Sequence, residues 1–381
     1  MSSPSRDVIV SALEHVAQFG VTAPGTAHLF DVGTGPFLEF FRSEVFEGFV
    51  AHGAGTLRFF EGPYGSGKSH LLDLLAEASL DAGLAVARID LSAAAGLADW
   101  HLLTQRVLED LEVRLAGGTV RSLPLILELL ADGREAGHWK LTDGRLPHAG
   151  FAQAIQLRLR GNLGPVAPGL LRQYLVGERV AVRDLAAAGL AGVKHPLSPR
   201  NAEYVLRTVL AGLRRAGLRG TLLVFDESER SLQRQSRKVR TGANVVRRFV
   251  DAAAAGSLEN CAVVFAILPG FVEAAAEFYP ALGQRLFRVR PGDKPPWRAP
   301  LLTLSEVSST TDVRAFARGL AERLEKLVSE FGAAPDGLQK TLSLVADAAI
   351  AANAGAGVRR DICKAMCAAT LRHIEHGGTR R

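Results

Sequence analysis

Cysteine is scarce. Cys261, Cys363 and Cys367 are the only three in 381 residues. That is too few for a disulfide framework, so the fold must rest on its hydrophobic core, and a reducing compartment suits it. Long apolar runs are lacking as well, and none approaches the roughly 20 residues of a membrane span. The opening MSSPSRDVIVSALEH has no apolar h-region of the kind a secretory signal carries. The expectation is a cytoplasmic protein that does not meet the membrane. Metal-type spacing is also incomplete: Cys363 and Cys367 lie four apart and share one helix face, but no further His or Cys pair is spaced to close a site. The two read as a buried helix face. No internal repeat is evident.

What is present reads as an ordinary soluble chain, 48% apolar and 22% charged, long enough for one large domain and a smaller one. The formal charge of +6 comes largely from arginine. It hints at a polyanionic partner, although an Ala- and Arg-rich composition produces the same sum.

Strand-like apolar runs occur at TLRFFEG (56–62), LAVARIDL (84–91), TLLVFDE (221–227), CAVVFAIL (261–268) and APLLTL (299–304). Most are followed by helical periodicity; after the first, Leu71, Leu74, Leu75 and Ala78 mark one helix face and Gly83 a stop. Strands alternating with helices predict an α/β fold with a parallel sheet covered on both faces. WHLLTQRVLEDLEVRL and NAEYVLRTVLAGLRRAG read as helices on either side of a less regular stretch. After Asp312 only helices are predicted. The expected organisation is a helical lead-in over 1–55, a core over 56–305 with a helical insertion at about 117–200, and a helical lid over 306–381.

One short stretch carries most of the chemistry. Gly62, Gly67, Lys68 and Ser69 satisfy G-x-x-x-x-G-K-[ST], with Gly65 as a further glycine, between an apolar strand and an amphipathic helix. A loop that curls its N–H groups around a phosphate needs positive φ and a close approach that a Cβ would block. The next helix aims its positive N-terminus at the same phosphate. Gly62, Pro63, Tyr64, Gly65, Ser66, Gly67, Lys68, Ser69 and His70 are therefore the candidate ATP-binding residues. Lys68 would reach the β- and γ-phosphates, and the Ser69 hydroxyl would ligate Mg²⁺.

The second half of such a site needs carboxylates at the end of a buried strand. TLLVFDE supplies Asp226, to orient Mg²⁺ through a water, and Glu227, to polarise the attacking water.

The order of these parts resembles an AAA+ ATPase, a P-loop NTPase fold with a C-terminal helical lid. In that resemblance CAVVFAIL stands where a strand ending in a polar, water-positioning residue is usual, but here Leu268 and Pro269 follow. YPALGQRLFRVR offers Arg285 and Arg288; the resemblance implies an arginine near here that reaches a neighbouring subunit's γ-phosphate, and Arg285 is the choice. GVRRDICKA resembles the start of the lid helix bearing a second sensor arginine, with Arg360 favoured by spacing and Arg359 the alternative.

Within that group, GPYGSGKSHLL, GLAVARIDLS, GLRGTLLVFDESE, YPALGQRL and RAPLLTLSEV, in this order, resemble the bacterial ATP-binding family named for BREX phage-resistance systems. The resemblance spans roughly residues 50 to 320. It implies an ATPase working with partner defence proteins or as a homo-oligomer, with DNA as a further partner. A Thr would be expected where Leu268 stands.

RSLQRQSRKVRTGANVVRR, just past the acidic strand, gathers Arg230, Arg234, Arg237, Lys238, Arg240, Arg247 and Arg248. It reads either as a DNA-phosphate contact, with Arg234, Arg237, Lys238 and Arg240 at its centre, or as a solvated arginine-rich face. No aromatic residue is interleaved before Phe249, so base stacking is not indicated. His195 reads as a loop histidine, and Trp297 in the proline-rich PPWRAP as a residue that packs between subdomains. Three functions compete: an ATPase in a DNA-linked defence assembly, a nucleotide-dependent binding module with little hydrolysis, and an initiator- or helicase-loader-like DNA-binding ATPase. Leu268 favours the second; the lack of a winged-helix signal counts against the third.

Overall fold

The computed structural model describes residues 4–90, 100–115, 118–132, 146–161, 167–226, 236–286, 296–308, 312–330, 337–353, 355 and 357–378. Helix α1 (Arg6–Phe19) and the short α2 (Gly35–Phe40) precede strand β1 (Gly55–Glu61), α3 (Lys68–Asp81) and β2 (Ala85–Asp90). Next come α4 (Trp100–Asp110), the strands β3 (Glu112–Leu115) and β4 (Gly118–Arg121), and five helices: α5 (Leu123–Asp132), α6 (Ala149–Arg160), α7 (Ala167–Leu175), α8 (Val182–Ala187) and α9 (Ala202–Arg215). Then follow β5 (Thr221–Asp226), α10 (Ser236–Ala254), β6 (Cys261–Ile267), α11 (Phe271–Phe278) and α12 (Pro280–Arg285). The last described elements are β7 (Leu301–Thr303), α13 (Leu304–Val307), α14 (Val313–Ser329), α15 (Leu338–Ala352) and α16 (Val358–Gly378).

The strands form one mostly parallel sheet of order β4-β3-β2-β5-β6-β1-β7. β2, β5 and β6 pair in parallel, and every residue of β5 and β6 is buried. Strands covered on both faces must be apolar throughout, which is why TLLVFD and CAVVFAI read as continuous runs rather than as alternation. The mixed α/β architecture is the P-loop NTPase type that the sequence predicts. One local expectation changes. The run WHLLTQRVLEDLEVRL does not stay helical: α4 ends at Asp110, and its last four residues become β3, paired antiparallel with β2 and β4. Val113 is buried between half-exposed Glu112 and Arg114, a period of two that suits an edge strand.

The chain divides into two compact units. One comprises Met1–Phe40, Phe60–Glu77 and Arg288–Arg381. Its core is built by Ile9, Leu13 and Val16 of α1 with Leu320 and Leu324 of α14, Leu342 of α15, and Ile362, Met366 and Cys367 of α16. The N-terminal helix and the C-terminal helices thus share one core. Cys363 packs against it, and burial pushes its thiol up to about 12. α1 stops at Gly20, which takes the left-handed conformation (φ 69°) and donates its N–H to the Val16 carbonyl at 2.8 Å. Trp297 lies in this unit, its ring 5.8 Å from Phe37 and 5.6 Å from Phe40, and its indole N–H donates to the Glu306 carbonyl at 2.7 Å. Its packing partners are its own unit's phenylalanines.

The other unit comprises Phe41–Phe59 and Ala78–Phe287. Phe265 of β6 stacks between Phe59 of β1 and Phe225 of β5, at 5.1 and 4.8 Å, and Phe249 of α10 meets it edge-on. In the layer formed by α4 to α9, His148 caps α6 by accepting the Phe151 N–H on Nδ1 at 3.1 Å. His195 sits exposed in a loop with φ 56°.

Candidate nucleotide-binding site

The phosphate loop lies between β1 and α3. Gly65 and Gly67 take positive φ, 69° and 102°, as the motif requires. Gly62 is crowded: a Cβ there would stand 2.6 Å from Ser66 Oγ and 2.9 Å from a Leu304 methyl. Ser66 closes the turn by donating from Oγ to the Pro63 carbonyl at 2.6 Å. Lys68 opens α3 and is only 7% exposed. Its ammonium donates to the carbonyls of Gly62 (2.7 Å) and Pro63 (3.0 Å) and lies 5.6 Å from the centre of the Tyr64 ring. The lysine is thereby folded back along the inside of the loop. Tyr64 itself is exposed.

His70 lies on α3, one residue past Ser69. Burial holds its imidazole below the usual range, against the upward pull of Asp31 and Glu77. Glu77 accepts from the Ala27 N–H (2.7 Å), the His28 N–H (3.1 Å) and His28 Nδ1 (2.9 Å), and Asp73 accepts from the Thr22 hydroxyl (3.2 Å). α3 is therefore tied along its length to the N-terminal segment of the same unit.

The loop has a second neighbour in its own unit. A Cβ on Gly65 would lie 2.5 Å from the Cα of Gly357, the residue that precedes α16. Of the two arginines considered for the lid helix, Arg359 lies over the Phe316 ring at 5.1 Å, and burial holds its guanidinium below its ordinary value. Arg360 is exposed, with its stem over Gly20, where a Cβ would come within 2.5 Å of Arg360 Cγ.

In the other unit Asp226 ends β5 and is 7% exposed. Arg88 of β2 forms an ion pair with it at 3.5 Å, and the parallel register sets Asp90 directly across from it. Leu268 follows β6, half-buried, and its carbonyl accepts the Phe271 N–H at 3.2 Å. The position at which a polar side chain is usual thus carries an apolar one. Arg285 pairs with Asp251 of α10, which also accepts from Arg247 at 3.3 Å. Burial pushes the Asp251 carboxyl up, but the hydrogen bonds from Arg285 and Arg247 outweigh it and hold the group below its ordinary value. Arg247 in turn lies over the Tyr279 ring at 5.1 Å.

Glu227, Arg230, Arg234 and Arg288 lie outside the described residues. Arg237, Lys238 and Arg240 fall on the backbone of α10 with their side chains outside the description. Among the described residues no group of three or more His, Cys, Asp or Glu could hold a metal ion, and no helix is long and apolar enough to cross a membrane. The Ser69 hydroxyl and the Asp226 carboxylate are nonetheless hard oxygen donors of the kind Mg²⁺ takes together with substrate phosphates and water.

Residues 4–167 and 149–330 match the family described as BREX system ATP-binding protein BrxC/D. The chain belongs to this family. Membership makes it an ATP-binding protein of the BREX phage-defence group. No curated protein and no solved structure matches the chain.

Sequence reasoning missed three residues that the fold of this BREX ATP-binding protein sets beside the motifs: Arg88, Asp251 and Gly357. The first had a faint signal, since Arg88 and Asp90 alternate at the end of an otherwise apolar strand. Asp251 had none, and Gly357 entered only as the first residue of GVRRDICKA, with no sign of its approach to Gly65.

Proposed function

We propose that this protein hydrolyses ATP and couples turnover to work in a DNA-linked phage-defence assembly. The observation that carries the reading is Lys68, an almost fully buried ammonium held inside a glycine-bent loop of an ATP-binding family member. Burying a charge is costly unless strong acceptors meet it, and phosphate oxygens are the acceptors this motif serves. In the proposed mechanism the loop amides and Lys68 bind the β- and γ-phosphates. Ser69 and Asp226 would hold Mg²⁺, which would supply positive charge against the charge that develops on the phosphates. Glu227 polarises the attacking water. Arg285 reaches the γ-phosphate of a neighbouring subunit, and Arg360, or Arg359, couples the lid to nucleotide state.

The basic stretch around Arg234, Arg237, Lys238 and Arg240 is the proposed DNA contact. It would grip phosphates without reading sequence. Leu268 favours a second reading, in which ATP holds a conformation and hydrolysis is slow.

The test is phosphate release and nucleotide binding measured together, with and without duplex DNA. Lys68→Ala should lose ATP affinity by about ten- to a hundredfold, the worth of a charge-assisted contact, while keeping its fold. Glu227→Gln should still bind ATP and lose most turnover. Wild-type ATP affinity in Lys68→Ala would remove the site. Binding without turnover under every condition would decide for the second reading.

A further inference from the structure

β2 is buried from Ala85 to Ala87 and then presents Arg88, half-exposed, and Asp90, exposed. Its parallel register with β5 pairs Arg88 with Val224 and Asp90 with Asp226. Side chains two apart on a strand share a face, as do register partners on neighbouring parallel strands. Arg88, Asp90 and Asp226 therefore stand on one face at the C-terminal end of the sheet, where open α/β sheets bind ligands. The guanidinium is 3.5 Å from the Asp226 carboxylate, which is the more buried partner, its side chain 9% exposed against 36% for Arg88.

Two carboxylates on one face of adjacent strands repel each other, and a cation beside them offsets that repulsion. Arg88 is such a cation, built into the strand. We infer that Arg88 is a positioning residue for Asp226: it orients the carboxylate and competes with the divalent cation for it, so that it sets the cation concentration at which the site fills. This rests on the reading of Asp226 as the metal-orienting acid. A mobile cation and Arg88 serve the same negative charge, so strengthening one contact weakens the other. The arginine keeps Asp226 turned toward the end of the sheet before the cation arrives and yields part of the contact when it does. The device makes cation uptake less avid than the two carboxylates alone would allow.

The experiment uses the full chain with saturating ADP and Mn²⁺ as the probe, free Mn²⁺ being counted by electron paramagnetic resonance. Arg88→Gln should lower the Mn²⁺ midpoint by about tenfold, a modest share of the charge–charge term because the pair is partly solvated. Arg88→Lys keeps the charge and should stay within about twofold of wild type. Asp90→Asn removes one carboxylate from an exposed position and should raise the midpoint, which gives an independent reading should Arg88→Gln fail to fold. An unchanged or higher midpoint in folded Arg88→Gln, or an unchanged or lower one in Asp90→Asn, overturns the role given to Arg88. If wild type binds ADP and only the Mn²⁺ shifts are missing, the nucleotide-site reading stands and this inference alone falls. If wild type binds no nucleotide, both fall.

Discussion

Gly65 of the phosphate loop and Gly357 at the start of α16 approach so closely that a Cβ on the first would stand 2.5 Å from the Cα and 2.8 Å from the nitrogen of the second. The obstacle is backbone, which cannot swing aside as a side-chain end can. Gly65 also holds a φ of 69°. Both terms act against Gly65→Ala, which should cost about 1–3 kcal/mol in strain. Gly357 has a comparable positive φ of 101° but open space where its Cβ would point. Gly357→Ala should therefore be the milder change. Thermal melts of the two variants, with titration of a fluorescent nucleotide, check the order. Equal losses would mean that the contact between Gly65 and Gly357 contributes nothing beyond dihedral strain.

Arg285 and Asp251 give a second prediction. Both side chains are close to half-exposed, so their ion pair should contribute about 0–1 kcal/mol, and Asp251→Asn should scarcely move the melting temperature. If Arg285 acts across a subunit boundary, freeing it should raise turnover per subunit at low protein concentration. Mixing Lys68→Ala with Arg285→Ala subunits should then restore part of the activity, because one mixed interface joins an intact loop to an intact arginine. No rescue in confirmed mixed oligomers would leave Arg285 with its Asp251 contact as its whole role.

A third prediction concerns acid. Burial, and the charge of His195, hold the His148 imidazole below its ordinary 6.5. The unfolded chain then takes up a proton that the folded chain refuses. Stability from this group is full above about pH 6.5 and falls as pH drops through that value, by at most about 1.4 kcal/mol per pH unit. His148→Asn retains an acceptor for the Phe151 N–H and removes the titration. Its urea-unfolding stability should fall less than that of wild type between about pH 6.5 and 5. An unchanged acid slope would assign the loss to other groups.

The cysteines give a fourth. Cys261 and Cys367 are buried and Cys363 half-buried, and burial raises all three thiols, Cys363 to about 12. Since the thiolate is the reactive form, iodoacetamide at about pH 8 should leave the native protein unmodified for as long as it stays folded. In urea it should add three carbamidomethyl groups. Mass spectrometry reads both states. Rapid labelling of Cys363 alone would show that α16 opens locally.

The candidate site was legible in the sequence where its chemistry is local. Gly62 to Ser69 is contiguous, and its need for positive φ, a close backbone approach and a helix N-terminus appears as glycines between a strand and a helix. Asp226 was legible for a related reason: a strand buried on both faces is an unbroken apolar run, and an acid ending it stands out. Sheet order, register and lid contacts leave no such trace. Asp90 faces Asp226 only because β2 pairs with β5 in that one register, and a single-residue slip would turn it to the other face. Gly357 meets Gly65 only because α1, α14, α15 and α16 pack into a common core. WHLLTQRVLEDLEVRL became part strand because an edge position of the sheet was open to its last four residues, and pairing there outweighed helical propensity. The sequence by itself determined the phosphate loop, the acidic strand and the α/β class, since each depends on residues close together in the chain. Which charges stand beside Asp226 and which backbone closes on the loop were decided by tertiary structure, because strand pairing and helix packing join residues that share no local pattern.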